Sequence, residues 1–326
     1  MALFSVHNVE LVGMSASVPK TKAHNATSKL FDQQEAAQFV QTTGINTRRI
    51  SGSNLSSADL CTAAAQKLLK DINWEASEIE VLVFVTQTPD QPIPGTATAI
   101  QQRLELSKSC LVLDINQGCS GYVYGVSVLA SLLSQGLKKG LLLVGDTITD
   151  LLDPSDKTVV PVFSDAGTAT AMQFCKDAIP IHFNLQSDGS GKSAIQQRSK
   201  DFMRMNGLEV FNFGLREVVP NINVLSDFCN VKIEDVDYLV LHQANLLLNE
   251  SIRKKLNITP NQTLTTLEKY GNTSNASIPL TIVDSCSEIA KIESKILCLA
   301  GFGVGLLWGS CMINTSNLTC SALIEL

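Results

Sequence analysis

Runs of aliphatic residues alternate with segments of helical period along this chain of 326 residues. The run at 111–115 has strand character and ends abruptly in small residues around Cys119. In the helical segment that follows, one face carries Val123, Val126, Leu129, Ala130, Leu133 and Leu137. The alternation predicts an α/β architecture, and the run predicts that Cys119 lies in the first turn of a buried helix.

The order of elements in the first half of the chain recurs in the second half. Each half has an aliphatic strand with an acidic start, a glycine-containing turn into a helix, and a further aliphatic strand. The matched segments are 77–85 with 233–241, 118–120 with 271–274, and 141–145 with 296–301. This weak repeat predicts two similar α/β halves, at 1–175 and 176–326, with functional groups where equivalent loops meet.

Composition narrows the classes of function. Hydrophobic residues make up 44% and charged residues 17%, which is typical of a globular protein with a large core. The net charge of −6, without a segment rich in Lys and Arg, argues against a nucleic-acid partner. No apolar stretch is long enough to span a membrane, and the first residues lack the features of a signal peptide.

Cysteine usage points to a reducing compartment. The nine cysteines are scattered without close pairs, which predicts neither a disulfide framework nor a zinc site. We therefore expect a cytoplasmic protein.

Three residues lie at positions where an α/β fold would carry catalytic or binding groups. Cys119 precedes a helix, where free N–H groups and the dipole favour the thiolate, although cysteine is also a good packing residue. His242 ends an aliphatic run, so we expect it at the carboxyl end of a strand, whereas His182 is expected on an edge strand. Asn272 holds the place in the second half that Cys119 holds in the first, although asparagine also caps helices. A pseudo-twofold axis would bring these turns face to face.

Four motifs around these residues occur together in order, at 114–121, 242–245, 271–277 and 301–310. Together they resemble the β-ketoacyl-acyl-carrier-protein synthase III family of the thiolase superfamily. The resemblance implies a thiolase-like α/β fold, in which two duplicated α/β halves pack as a layered αβαβα core. It also implies a homodimer that uses acyl-coenzyme A, or another acyl thioester, and an acyl carrier protein.

The resemblance also implies roles for individual residues. Cys119 would attack an acyl thioester to form an acyl-enzyme, with the backbone N–H groups of Cys119 and Val304 stabilising the oxyanion. His242 and Asn272 would stabilise the enolate that a malonyl thioester leaves on losing carbon dioxide. No metal or redox cofactor enters this scheme. The candidate substrate contacts are Phe163, Met205, Asn245, Phe302, Lys157 and Ile93.

The chain departs from the family pattern at several positions. In the family, an arginine and a tryptophan together hold the adenine of coenzyme A. Here Lys157 replaces the arginine, and Gln38 lies near the position of the tryptophan. Leu247 replaces an arginine that docks the carrier protein, and Ile93 replaces a phenylalanine that closes the partner's acyl pocket. These changes leave open the acyl group, its carrier and the pathway, whether bulk fatty-acid synthesis or a specialised product.

Other functions remain open on the sequence alone. An enzyme of the same fold could transfer an acyl group to an amine or hydroxyl without decarboxylation. A papain-type hydrolase also has cysteine, histidine and asparagine in this order. A non-enzymatic homologue that binds carrier protein is a third alternative, but Cys119, His242 and Asn272 are all present, which favours condensation.

Overall fold

The computed structural model describes residues 2–198, 201–289, 295–316 and 318–326. The strands are β1 Ala2–Val6, β2 Val9–Val18, β3 Lys22–His24, β4 Thr47–Arg49, β5 Val81–Val85, β6 Leu111–Ile115, β7 Lys139–Asp146, β8 Ala166–Phe174, β9 Ile181–Ser187, β10 Ile195–Gln196, β11 Arg204–Met205, β12 Tyr238–Leu241, β13 Ile296–Gly303, β14 Leu307–Asn314, β15 Thr319–Cys320 and β16 Ile324–Glu325. The helices are α1 Gln33–Thr43, α2 Ser57–Asp71, α3 Thr96–Arg103, α4 Gly121–Leu133, α5 Gly207–Cys229, α6 Leu246–Lys255, α7 Leu267–Tyr270, α8 Ser277–Asp284 and α9 Cys286–Ile289.

The two large sheets have matching topologies. In the first sheet the order is β15-β2-β8-β7-β5-β6, with β16 also paired to β2, and in the second it is β1-β9-β14-β13-β12. The run β5-β7-β8-β2 has the same order and the same strand directions as β12-β13-β14-β9. The repeated order of elements that the sequence predicts is therefore present in the fold.

The chain termini cross between the sheets. Strand β1 joins the sheet of the second half, and β15 and β16 join the sheet of the first. The expectation that His182 lies on an edge strand was wrong, because β1 pairs with β9 and covers its outer side. Ser5 lies opposite His182 in this pairing, and its Oγ is 2.7 Å from Nδ1 of the histidine.

The elements pack in five layers. Helices α4 and α8 lie between the two sheets and share one apolar cluster with residues of both. Helices α2 and α3 cover the outer face of the first sheet, and α5 and α6 cover the outer face of the second. This is the αβαβα arrangement that the family resemblance implies.

Helix α4 is largely apolar because it lies between the two sheets. Nine of its 13 residues are buried. The helix ends at Leu133, so Leu137 lies beyond it and is only half-buried against the same cluster. Its N-cap is Ser120, so Cys119 lies just before the helix rather than in its first turn.

One disulfide departs from the expectation for the cysteines. Cys286 and Cys320 are bonded with their Cα atoms 6.1 Å apart, although 34 residues separate them in sequence. The bond connects α9 to β15. Among the described helices, none is both long and apolar enough to cross a membrane.

The layer formed by α4 yields a test of the core. Replacing Leu129 by alanine removes a fully buried side chain between two sheets, so we expect the free energy of unfolding to fall by about 2–5 kcal/mol. Leu137→Ala is the matched control, and its half-buried side chain predicts a clearly smaller loss. Urea denaturation of both variants gives the comparison. Equal losses would contradict the difference in burial between the two leucines.

Candidate active site

One cavity between the two halves brings together the cysteine, histidine and asparagine singled out by the sequence. Cys119, His242 and Asn272 all line it, and the cavity holds about 80 Å³. All three residues are buried, with exposures of 6%, 2% and 5%. Burial to this degree lowers the local dielectric and strengthens any hydrogen bond or charge that acts inside the site.

The backbone around Cys119 is set by a close approach of β13. A Cβ atom added at Gly303 would lie 2.8 Å from Cβ and 2.9 Å from Sγ of Cys119, so only glycine fits there. The backbone N–H groups of Cys119 and Val304 both lie against the sulfur. These are the two donors that the resemblance assigns to an oxyanion.

The thiol of Cys119 is protonated at rest. Burial raises its pKa to about 12, and the negative charge of Asp146 adds to the effect. The expectation of a thiolate at the helix start was therefore wrong, because desolvation outweighs the N–H groups that face the sulfur. Nucleophilic attack by this cysteine needs a group that accepts its proton.

His242 follows β12 at its carboxyl end, as the sequence predicts. Its backbone N–H donates to the carbonyl of Ala300 at 2.8 Å, and its Nδ1 lies 2.7 Å from Oγ of Ser277. Burial lowers the pKa of the imidazole to about 3, so the ring is neutral near pH 7. Ser277, at the start of α8, therefore orients the ring.

Asn272 is held by both its backbone and its side chain. Gly271 has a left-handed φ of 61°, and the N–H of Asn272 donates to the carbonyl of Val162 at 3.1 Å. The side-chain Oδ1 accepts from the N–H of Ser274 at 2.9 Å, so the NH₂ is the end that can donate into the cavity. The N-cap of α8 is Ala276, so Asn272 does not cap that helix.

The predicted substrate contacts divide into two groups. Phe163, Met205, Asn245 and Phe302 line the cavity with the three central residues. Lys157 and Ile93 do not line it. The Lys157 ammonium lies 2.9 Å from the Glu35 carboxylate on α1.

Val304 and Ile93 are not among the residues that line that cavity. Val304 lines a neighbouring cavity, which shares Ile195 with the first. Ile93 is 87% exposed.

Sequence reasoning missed three polar residues around the site. Ser274 and Ser277 belong to the motif at 271–277, but their partners are not apparent from the sequence pattern. Asp146 ends the buried strand β7, and a single acid at the carboxyl end of an aliphatic strand is a signal that could have been used.

The five layers and the buried site define an enzyme of the thiolase fold with a cysteine, a histidine and an asparagine in one cavity. The family models for 3-oxoacyl-[acyl-carrier-protein (ACP)] synthase III match residues 113–189 and, for its C-terminal part, residues 227–315.

Individual relatives agree with the family models. A β-ketoacyl-[acyl-carrier-protein] synthase III from Halalkalibacterium halodurans is 34% identical over 88% of this chain and 93% of its own length. One from Geobacillus kaustophilus is 32% identical over 92% and 96%. A 3-oxoacyl-(acyl-carrier protein) synthase crystal structure from Burkholderia xenovorans superposes with a TM-score of 0.96 at 33% identity, covering 100% of this chain and 99% of that one. The chain belongs to the β-ketoacyl-acyl-carrier-protein synthase III family.

The buried neutral histidine predicts a pH dependence of stability. As pH falls below about 6.5, the unfolded chain protonates His242, whereas the folded protein does so only near pH 3. Wild type should therefore lose stability relative to His242→Gln by about 1.4 kcal/mol per pH unit between pH 6 and pH 4. Burial raises the pKa of Asp146 to about 6, which acts in the opposite direction but is common to both proteins.

Denaturant unfolding of the two proteins at pH 7, 6, 5 and 4 measures this difference. Parallel curves across the whole range would show that His242 titrates normally in the folded state.

Proposed function

We propose that this enzyme condenses an acyl thioester with a malonyl thioester, as a 3-oxoacyl-(acyl-carrier-protein) synthase III. The observation that carries the proposal is the pair of donors that shares a buried cavity with the thiol of Cys119. The neutral imidazole of His242 and the NH₂ of Asn272 are suited to an oxygen that becomes negative during a reaction. A hydrolase would instead need the histidine as a base, and its pKa near 3 makes it a weak one.

In the first step the sulfur of Cys119 attacks the carbonyl carbon of the acyl thioester. The backbone N–H groups of Cys119 and Val304 are placed to hold the carbonyl oxygen as it becomes negative. The bond to the carrier sulfur then breaks, and the carrier leaves as a thiol. The acyl group remains on Cys119 as a new thioester, which keeps it reactive.

In the second step the malonyl thioester loses carbon dioxide and becomes an enolate. His242 and Asn272 donate to the enolate oxygen, which lowers the energy of the charge as it forms. The step requires a proton on Nε2 of His242, and Oγ of Ser277, 2.7 Å from Nδ1, would then donate to Nδ1. The enolate carbon then attacks the acyl group, and Cys119 is released as a 3-oxoacyl thioester forms.

The proposed partners follow from this chemistry. Acyl-coenzyme A enters as a substrate, and the steps call on no metal or redox cofactor. The carrier protein would dock near α6, where Leu247 is 50% exposed. On the same helix the guanidinium of Arg253 is already committed to Glu250 and to the carbonyl of Ile258. A cytoplasmic location stays a prediction from composition.

A homodimer is proposed from the free edge of the first sheet. Among the described strands, β6 pairs with β5 alone, and its Leu111 and Leu113 are exposed at 40% and 37%. Ile93 adds a further exposed apolar side chain. Since an uncovered apolar edge strand promotes pairing with another chain, a second copy is the occupant that the family resemblance supports.

The two half-reactions separate the proposed roles. Incubation with a panel of acyl-coenzyme A thioesters should add one acyl mass to wild type, and Cys119→Ala should gain none. His242→Ala and Asn272→Ala should still become acylated, but should form the 3-oxoacyl product about 10²–10³-fold more slowly, because each loses one donor to the enolate. Intact mass and product assays with malonyl-carrier protein give the readouts.

Two results of that experiment would count against condensation. Acyl release to an amine or hydroxyl without malonyl thioester would indicate the non-decarboxylating transfer. The absence of any adduct on wild type, with thioesters of both coenzyme A and carrier protein, would indicate a binding role.

The dimer has its own test. Light scattering should give twice the monomer mass for wild type and the monomer mass for Leu113→Lys, because a charge at the centre of β6 cannot be buried against a second strand. Leu247→Lys changes a similarly exposed leucine on α6 and should remain dimeric. A monomeric wild type would overturn the proposal.

A further inference from the structure

We propose that Asp146 accepts, through the hydroxyl of Ser274, the proton that Cys119 gives up when it attacks the acyl thioester. The inference rests on the proposed function, since it supplies the proton acceptor for the first step. It assigns a role to a buried acid that the reaction scheme does not otherwise use.

Asp146 is fully buried, and its two carboxyl oxygens have different surroundings. Oδ1 accepts from the backbone N–H of Gln87 at 2.7 Å and from the hydroxyls of Thr86 at 3.0 Å and Thr88 at 3.4 Å. Oδ2 has no hydrogen-bond partner among the described residues. A buried, unpaired carboxylate oxygen costs stability, so a carboxylate kept in this state calls for a functional reason.

Ser274 lies between this carboxylate and the sulfur. It is buried in the turn before α8, and its N–H is fixed by the donation to Oδ1 of Asn272 at 2.9 Å. Its hydroxyl approaches both the thiol of Cys119 and the carboxyl of Asp146, without completing a hydrogen bond to Oδ2 at rest. Because a hydroxyl can donate and accept at once, one side chain can take a proton from sulfur while it passes its own to oxygen.

The alternative acceptor of the proton is His242, but a comparison of the two pKa values favours Asp146. Burial raises the pKa of Asp146 to about 6, so it is ionised near neutral pH and has the basicity that suits a general base. The imidazole of His242, with its pKa lowered to about 3, is the weaker base. Among the described residues, Cys61 also interacts with Asp146, but burial raises the pKa of this thiol far above its usual value, so it stays neutral.

The proton transfers balance. As the sulfur–carbon bond forms, the S–H bond of Cys119 breaks and its proton passes to the oxygen of Ser274, whose own proton passes to Oδ2 of Asp146. When the tetrahedral intermediate collapses, the bond to the carrier sulfur breaks and the proton returns along the same path to the leaving thiolate. Asp146 ends the step ionised, and one thioester has been exchanged for another.

Rapid-quench acylation followed by intact mass tests the relay. Asp146→Asn and Ser274→Ala should each slow the acylation of Cys119 by about 10²–10⁴-fold, the usual range for losing a positioned base. The wild-type rate should rise with pH around the pKa of Asp146, near 6, and this rise should be absent in Asp146→Asn. Asp150→Asn, which removes an exposed acid on the adjoining loop, should match wild type in rate and profile.

The pH profile separates the relay from a purely structural role. If Asp146→Asn acylates at the wild-type rate, or acylates slowly with the wild-type pH profile, the relay is overturned. If wild type forms no acyl adduct at all, the proposed function fails first, and alkylation of Cys119 by iodoacetamide then serves as the readout. The relay predicts slower alkylation of Asp146→Asn and Ser274→Ala than of Asp150→Asn, and equal rates would overturn it.

Discussion

The close approach of β13 to the loop around Cys119 is the constraint on which the site depends. A Cβ at Gly301 would lie 2.8 Å from Cα of Ser120, and one at Gly303 would meet Cys119 itself. The second sheet therefore rests directly on the entry to α4. The same strand carries the carbonyl of Ala300, which holds His242, and leads into Val304. The positions of Cys119, of His242 and of the backbone N–H group of Val304 thus all depend on the contacts of β13.

Burial explains why the site is assembled from neutral groups. Desolvation keeps a proton on Cys119 and keeps His242 uncharged, so neither presents a charge that the core would have to compensate. Charge appears only when a substrate oxygen becomes negative, and donors that are already oriented then act in a low dielectric. Asp146 is the exception, and it receives three hydrogen bonds on one of its oxygens.

The sequence predicted what depends on local pattern. Strands β6 and β12 were found because aliphatic runs ended by small or polar residues are typical of strands in an α/β core. The sequence pattern does not show where α4 ends. Leu137 continues the helical spacing of apolar residues, although the helix itself ends at Leu133. The interior position of His182 depends on β1, which lies 177 residues away in sequence. The disulfide and the surroundings of Asp146 likewise join distant segments, which a single sequence does not reveal.

The departures from the family pattern lie outside the cavity, and this limits what they can alter. Lys157 is held by Glu35, so its charge is partly neutralised before any ligand arrives, and an ammonium cannot stack on an adenine as a guanidinium does. Leu247 and Ile93 are exposed residues at proposed partner surfaces. The cavity itself is lined by Cys119, His242 and Asn272, the residues on which the proposed condensation depends. We therefore expect the choice of substrate to depend on how the acyl group is delivered and on the residues that line the cavity. The bond-forming steps of the proposed reaction depend on residues that these departures do not change.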